Sequence, residues 1–168
     1  NLTNFTQTPI YENNRSYDSL QNHCVNCHNY QAYTTKRMLF HVRSAHGGTI
    51  IVENGKAKKW NMKCDSILSS TVYPTWHHTR NWVVFSSNQT GQAFHIDDRQ
   101  KVEVMDFGSD LVFFDGDKGT LSILKTDDHL ETFPCWAPDG KKLYYTSAYV
   151  PQFKGTDTPT RQNAVTSL

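Results

Sequence analysis

Hydrophobic and polar positions along this chain never settle into a helical period. From Tyr30 onward the apolar residues come in short runs rich in β-branched and aromatic side chains: Met38 to Val42, Thr49 to Val52, Trp82 to Ser86, Ala93 to Ile96, Lys101 to Met105, Leu111 to Phe114, Thr120 to Leu124 and Leu143 to Ser147. Runs of this length bounded by turn residues predict strands. The punctuation is supplied by Gly47-Gly48, Asn54-Gly55, Gly91, Asp115-Gly116-Asp117, Gly119 and Asp139-Gly140, all residue types that tolerate positive φ. The pattern predicts an all-β fold. It also divides the chain into an extended, Asn- and Thr-rich arm over 1–29, a β region over 30–148, and a Thr- and Pro-containing tail over 149–168 that reads as a linker.

The strand pattern repeats. Tyr73-Pro74-Thr75-Trp76, a turn, and then Trp82 to Ser87 lie over Phe133-Pro134-Cys135-Trp136, a turn, and Lys142 to Ser147 without a gap, at an offset of 60 residues. A degenerate earlier copy runs from Tyr30 through Met38 to Val42, with Phe40 standing where Phe85 and Tyr145 stand. Repeats of forty-odd residues or more, each about four short strands, predict a partial β-propeller of about two to three four-stranded blades. A propeller closes only with at least four blades, so the chain is expected to be part of a larger protein or a subunit completed by a partner.

One stretch carries reactive side chains at a chemically demanding spacing: Cys24-Val25-Asn26-Cys27-His28. Two thiols three positions apart, followed at once by an imidazole, form the attachment signature of c-type haem. The thiols add to the two vinyl groups on one porphyrin edge, and the next residue then lies where its imidazole can reach the iron. On this reading Cys24 and Cys27 hold one covalent haem c and His28 is the proximal iron ligand. The alternatives are a Cys24–Cys27 disulfide or redox dithiol, a zinc half-site, or coincidence. No helical apolar stripe follows the motif as a thioredoxin-like dithiol would have, and Cys64 is too far along the chain for a short-spaced zinc knuckle.

Composition narrows the setting. The chain has 168 residues, 37% of them hydrophobic, and a formal net charge of +1. That suffices for a real core, and it lacks the basic surface that nucleic acid requires. The one short basic cluster, Lys56 to Lys59, follows Asn54-Gly55 and reads as a solvated hairpin flank. No apolar run is long enough to span a bilayer. Asp115 to Gly119 looks superficially like a calcium loop but has Thr126 at the twelfth position, so a tight hairpin is expected. Nucleophile-elbow, phosphate-loop and zincin motifs are missing, and Asp97-Asp98 and Asp127-Asp128 are adjacent in sequence, which on a strand would send each pair to opposite faces, so paired acid and base work is not expected of them. An electron carrier is expected ahead of a catalyst.

Phe133-Pro134-Cys135-Trp136-Ala137-Pro138-Asp139-Gly140-Lys141-Lys142-Leu143-Tyr144-Tyr145 resembles the Pro-x-Trp-Ser-Pro-Asp-Gly-x-x-Leu-x-Phe repeat of TolB-like, WD40-like (PD40-type) β-propeller proteins of the bacterial envelope. The second copy departs at His77 to Asn81, where the Pro-Asp-Gly turn is lost, and the first keeps only its second strand. The resemblance implies a propeller scaffold or binding surface, exported to the periplasm or cell surface. Some such envelope proteins carry a Cys-x-x-Cys-His near the first blade and look like c-type cytochromes. It therefore implies an electron-transfer module with redox protein partners or neighbouring cytochrome subunits, against a non-catalytic scaffold whose cysteines form a zinc clip or disulfide.

The sixth iron position is expected from the strand order. If Tyr30 to Thr34 is the innermost strand and Met38 to Val42 the next, the hairpin Arg43 to Thr49 returns to the end where Cys24 to His28 sits. His46, His41 and His95 are the candidate distal ligands, while His77 and His78 fall in a turn expected at the other end. Met38, Met62 and Met105, and Trp76, Trp82 and Trp136, are expected to fill the core.

Overall fold

A computed structural model describes residues 3–12, 24–43, 47–96, 99, 101–124 and 129–149. Among the described residues it is all-β: ten antiparallel strands and one short 3₁₀ turn at Gln31–Tyr33, with no α-helix. Two compact units divide the chain, Asn1–Asn61 and Met62–Leu168.

The first unit holds one four-stranded sheet in the order β1-β2-β3-β4, made by Val25–Tyr30, Arg37–Val42, Gly48–Glu53 and Lys56–Trp60. β2 lies where the unbroken apolar run placed it. Its neighbours in sequence alternate faces, yet Leu39 and Phe40 are both buried, which explains why the run does not alternate. Met38, Phe40 and Val42 share one face with Ile50, and Tyr30 and Val52 close that cluster. Tyr11 of the arm sets its ring 5.4 Å from that of Phe40. Asn54 and Gly55 both have positive φ, 48° and 77°, and connect Glu53 directly to Lys56 as a two-residue hairpin turn.

One sequence expectation shifts here. The first strand is Val25–Tyr30 rather than Tyr30 to Thr34, where a 3₁₀ turn stands over Gln31–Tyr33, so Val25 to His28 lie inside the sheet and not in the arm. Lys56 to Lys59 are the solvated hairpin flank expected of them, the exposed part of β4, the outer strand, where Lys58 lies over the Trp60 ring at 3.8 Å. Lysines on an edge strand discourage a further strand from pairing there.

The second unit holds a four-stranded sheet, β5-β6-β7-β8, from Thr71–Trp76, Trp82–Phe94, Val102–Asp115 and Thr120–Leu124. A two-stranded sheet follows, β9 at His129–Trp136 with β10 at Leu143–Tyr149. Val83, Val84, Phe85, Leu111, Val112 and Phe114 form the interior. Gly91 does not turn the chain as its type suggested. It sits within β6, where a Cβ would come 2.5 Å from the Phe107 ring, so its missing side chain makes room for that ring. The Ala93 to Ile96 and Trp82 to Ser86 runs are consequently one long strand through Phe94, and Lys101 to Met105 joins Leu111 to Phe114 in another.

Asp115 organises the β7–β8 hairpin, its Oδ1 accepting the backbone N–H groups of Asp117 (3.1 Å) and Lys118 (3.2 Å). Burial would raise the Asp115 carboxyl, but those two N–H donors and the Lys118 ammonium outweigh it and hold the group below its usual range. This is the tight hairpin expected of the sequence, with Asp115 serving its own turn.

The 60-residue repeat reappears in the hydrogen bonds. His77 N donates to Trp82 O at 2.8 Å, and Ala137 N, its counterpart, donates to Lys142 O at 2.8 Å. β9 lies against the β5–β8 sheet through a polar seam: Phe133 N donates to Ser86 Oγ (3.1 Å), Asn88 Nδ2 to Thr132 Oγ1 (3.3 Å), and Ser109 Oγ to the Glu131 carbonyl.

Candidate functional site

Cys24 to His28 enter and occupy β1, the edge strand of the first sheet. Two groups pin the entry. Arg43 N donates to the Cys24 carbonyl at 2.9 Å, and Arg43 Nε donates to Asn26 Oδ1 at 3.3 Å. The end of β2 therefore does return to the motif, as the strand order suggested.

Within β1 the ladder slips. Asn26 pairs with His41 and Asn29 with Leu39, so Cys27 and His28 together oppose the single residue Phe40. This is a β-bulge, and Cys27 takes its left-handed position at φ 53°. The bulge resets the alternation, which lets Val25 and Tyr30, an odd number apart, pair with Val42 and Met38 on one face.

The same device occurs twice more. Tyr73-Pro74 oppose Phe85 in β5 and β6, with Tyr73 at φ 48°, and Phe133-Pro134 oppose Tyr145 in β9 and β10, with Phe133 at φ 52°. Phe40, Phe85 and Tyr145, aligned from sequence, are thus the three residues facing a bulge. Cys27-His28 stands where the other sheets carry an aromatic residue and proline. Sequence comparison missed this because the first copy shares no residue with the aromatic-Pro pair; only the spacing back from Phe40 signals it.

The donor set suits a covalently held haem in its chemistry. Cys24 and His28 are exposed, Cys27 is half-buried, and all four cysteines of the chain are free thiols. The imidazole of His28 stands edge-on to the Tyr30 ring, 6.2 Å between centroids. Two thiols available for thioether bonds and an imidazole in the next position are what the group needs of the protein. Among the described residues, no three His, Cys, Asp or Glu side chains converge to hold a bare metal ion.

The candidate distal ligands part company. His41 is next to the motif, paired across the ladder with Asn26, and is buried, with Nδ1 sharing a 2.9 Å hydrogen bond with Thr49 Oγ1. Burial first, and the charge of Arg43 second, lower its pKa from 6.5 to about 4. His46 lies outside the described residues. His95 belongs to the second unit, exposed at the end of β6, with Nε2 3.1 Å from Glu103 Oε2.

His77 is a structural residue that sequence reasoning passed over. Its Nδ1 accepts from the backbone N–H groups of Thr79 (3.2 Å) and Arg80 (3.1 Å), which fixes the ring proton on Nε2, and Nε2 donates to the Gly140 carbonyl at 3.1 Å. Trp82 and Trp136 stand edge-on to the ring at 5.5 and 4.9 Å. The ring thereby stitches the turn of one sheet to the Pro-Asp-Gly turn of the next, and its identity substitutes for the turn residues the second copy has lost. Trp76 is buried, as are Met38 and Met62.

No family model matches the chain, and no curated protein and no solved structure matches it. Among the described residues no helix is long and apolar enough to cross a membrane.

Proposed function

We propose that this chain is an electron-transfer c-type cytochrome module, carried on a TolB-like β-propeller in the bacterial envelope and working with redox protein partners or neighbouring cytochrome subunits. The observation that carries the reading is Cys24-x-x-Cys27-His28 presented on an edge strand with free thiols and an exposed imidazole. Among the described residues, meanders of four, four and two strands, each opened by the same left-handed bulge, support successive propeller blades.

Cys24 and Cys27 would hold haem c by thioether bonds, and His28 would be the proximal ligand. The bound group supplies a one-electron iron couple. The chain's own part is to fix and insulate. Arg43 holds the strand entry through the Cys24 carbonyl, the bulge sets the backbone at Cys27 and His28, and the Met38, Phe40, Val42 and Ile50 cluster, with Tyr30 of β1 packed against it, gives the adjoining sheet face an apolar character. His41 is the candidate sixth ligand nearest the motif in the described structure, and His46, in the segment after Arg43, is the other from this sheet.

A second reading has its own observation. Because Cys27-His28 fills a bulge that the other sheets fill with aromatic-Pro pairs, the pair has a backbone role whether or not haem is bound. A scaffold module whose cysteines form a disulfide or zinc clip would use the same bulge. The visible spectrum and intact mass of chain made with the haem-attachment machinery decide between them. A Soret band surviving acid–acetone extraction, with the mass of one haem, establishes the cytochrome. Colourless protein of unmodified mass, or chain carrying zinc, refutes it.

A further inference from the structure

The register of the first sheet places the side chains around the cysteine motif. Asn26 opposes His41, and two residues further along each strand Arg43 N donates to the Cys24 carbonyl, so Cys24, Asn26, His41 and Arg43 share one face of the sheet. The apolar cluster of Met38, Phe40 and Val42, with Tyr30 against it, is on the other. Arg43 does not turn away into solvent. It is half-buried, and its Nε donates to Asn26 Oδ1 at 3.3 Å, so the guanidinium lies against a residue between the two cysteines, on the face that carries Cys24.

Nothing described neutralises that charge. Between Cys24 and Asn61 the sequence holds six Lys and Arg but one carboxylate, Glu53. Glu53 is committed elsewhere: it pairs across the ladder with Arg37 at the far end of β2, 3.8 Å separating their charged groups. Among the described residues no carboxylate pairs with Arg43. The strand pairing does not need the guanidinium either, because the bond to the Cys24 carbonyl comes from the backbone N–H. An unpaired cation kept against the attachment motif has an electrostatic consequence for whatever the motif holds.

We infer that Arg43 sets the reduction potential of the haem that Cys24 and Cys27 would hold, its fixed positive charge favouring the reduced state. The inference rests on the cytochrome reading. Reduction brings in one electron from a redox protein partner, breaks and forms no bond, and lowers the charge beside the guanidinium by one. Arginine keeps its proton throughout the working range of pH, so the bias is constant. Its direction makes the module a readier electron acceptor.

The test is a spectroelectrochemical titration of the haem-loaded full chain. Arg43→Gln keeps a donor for Asn26 Oδ1 but removes the charge, and should lower the midpoint by a tenfold change in the reduced-to-oxidised ratio, about 59 mV, with the Soret maximum and haem content unchanged. Arg43→Lys keeps the charge and should stay close to the parent. Asn26→Asp leaves Arg43 in place and sets a carboxylate on its guanidinium, so the midpoint should fall there too, even if Arg43→Gln does not fold. Haem-loaded Arg43→Gln or Asn26→Asp with the parent's midpoint overturns the inference and leaves the cytochrome reading standing. An equal fall in Arg43→Lys also overturns it, because packing and not charge is then the cause. A chain that takes up no haem refutes the cytochrome reading, and this inference with it.

Discussion

Phe85 and Tyr145 occupy the same place in the repeat, each facing a two-residue bulge on the neighbouring strand, but one is inside the protein and the other is not. Phe85 is 0% exposed and Tyr145 is 47% exposed. Truncating Phe85 to alanine removes a fully buried ring and leaves a cavity closed to water, for a cost of about 3–5 kcal/mol. For Tyr145→Ala about half as much surface is lost and water fills the gap, so the cavity contribution vanishes and about 1–2 kcal/mol remains. Urea unfolding followed by tryptophan fluorescence measures both, and the midpoints should separate without a change in slope. Equal losses would refute the reasoning, because they would mean that the outer face of β10 is covered in solution.

Four further outcomes follow from the geometry. Replacing Cys27-His28 by Tyr-Pro imports the bulge of the β5–β6 sheet, so stability should change by no more than about 1 kcal/mol, and the covalent haem of the proposed cytochrome should no longer attach; an unfolded double variant would show the bulges are not interchangeable. Gly140→Ala forces a Cβ to within 2.6 Å of His77 Nε2 at φ 70° and should cost about 2–3 kcal/mol by urea unfolding, with much of the contact part absent in a His77→Ala background. In the haem-free chain, His41 takes up a proton below about pH 6.5 when unfolded but only near pH 4 when folded, so stability is full above 6.5 and falls as pH drops toward 4. The loss should be about 3 kcal/mol, and His41→Gln should flatten that part of the pH–stability profile. Asp115→Ala strips the acceptor from two backbone N–H groups and should loosen the β7–β8 hairpin, read as faster hydrogen exchange at Asp117 and Lys118.

Much of the architecture is legible along the chain because it rests on local chemistry. Asn54-Gly55 can make a two-residue hairpin turn whatever surrounds it, and the apolar runs at Met38 to Val42 and Leu111 to Phe114 have nowhere to go but a buried strand. The chemical character of Cys24, Cys27 and His28 is equally a matter of residue type and spacing. The offset of 60 residues told that Phe85 and Tyr145 are equivalent, and the earlier copy placed Phe40 with them, so the residue facing each bulge was marked.

Tertiary structure decided what equivalence could not. Strand pairing, which depends on partners far along the chain, drew Val25 to His28 out of the arm and into the sheet, and it made a bulge of Cys27-His28 because two residues had to face Phe40. Gly91 reads as a turn until the Phe107 ring is seen to need its empty side. His77 reads as one more turn histidine until the Gly140 carbonyl, sixty-three residues on, is seen to receive its proton. Residue type and spacing are local and survive in one dimension; burial, register and the partner of a given hydrogen bond exist only once distant segments have met.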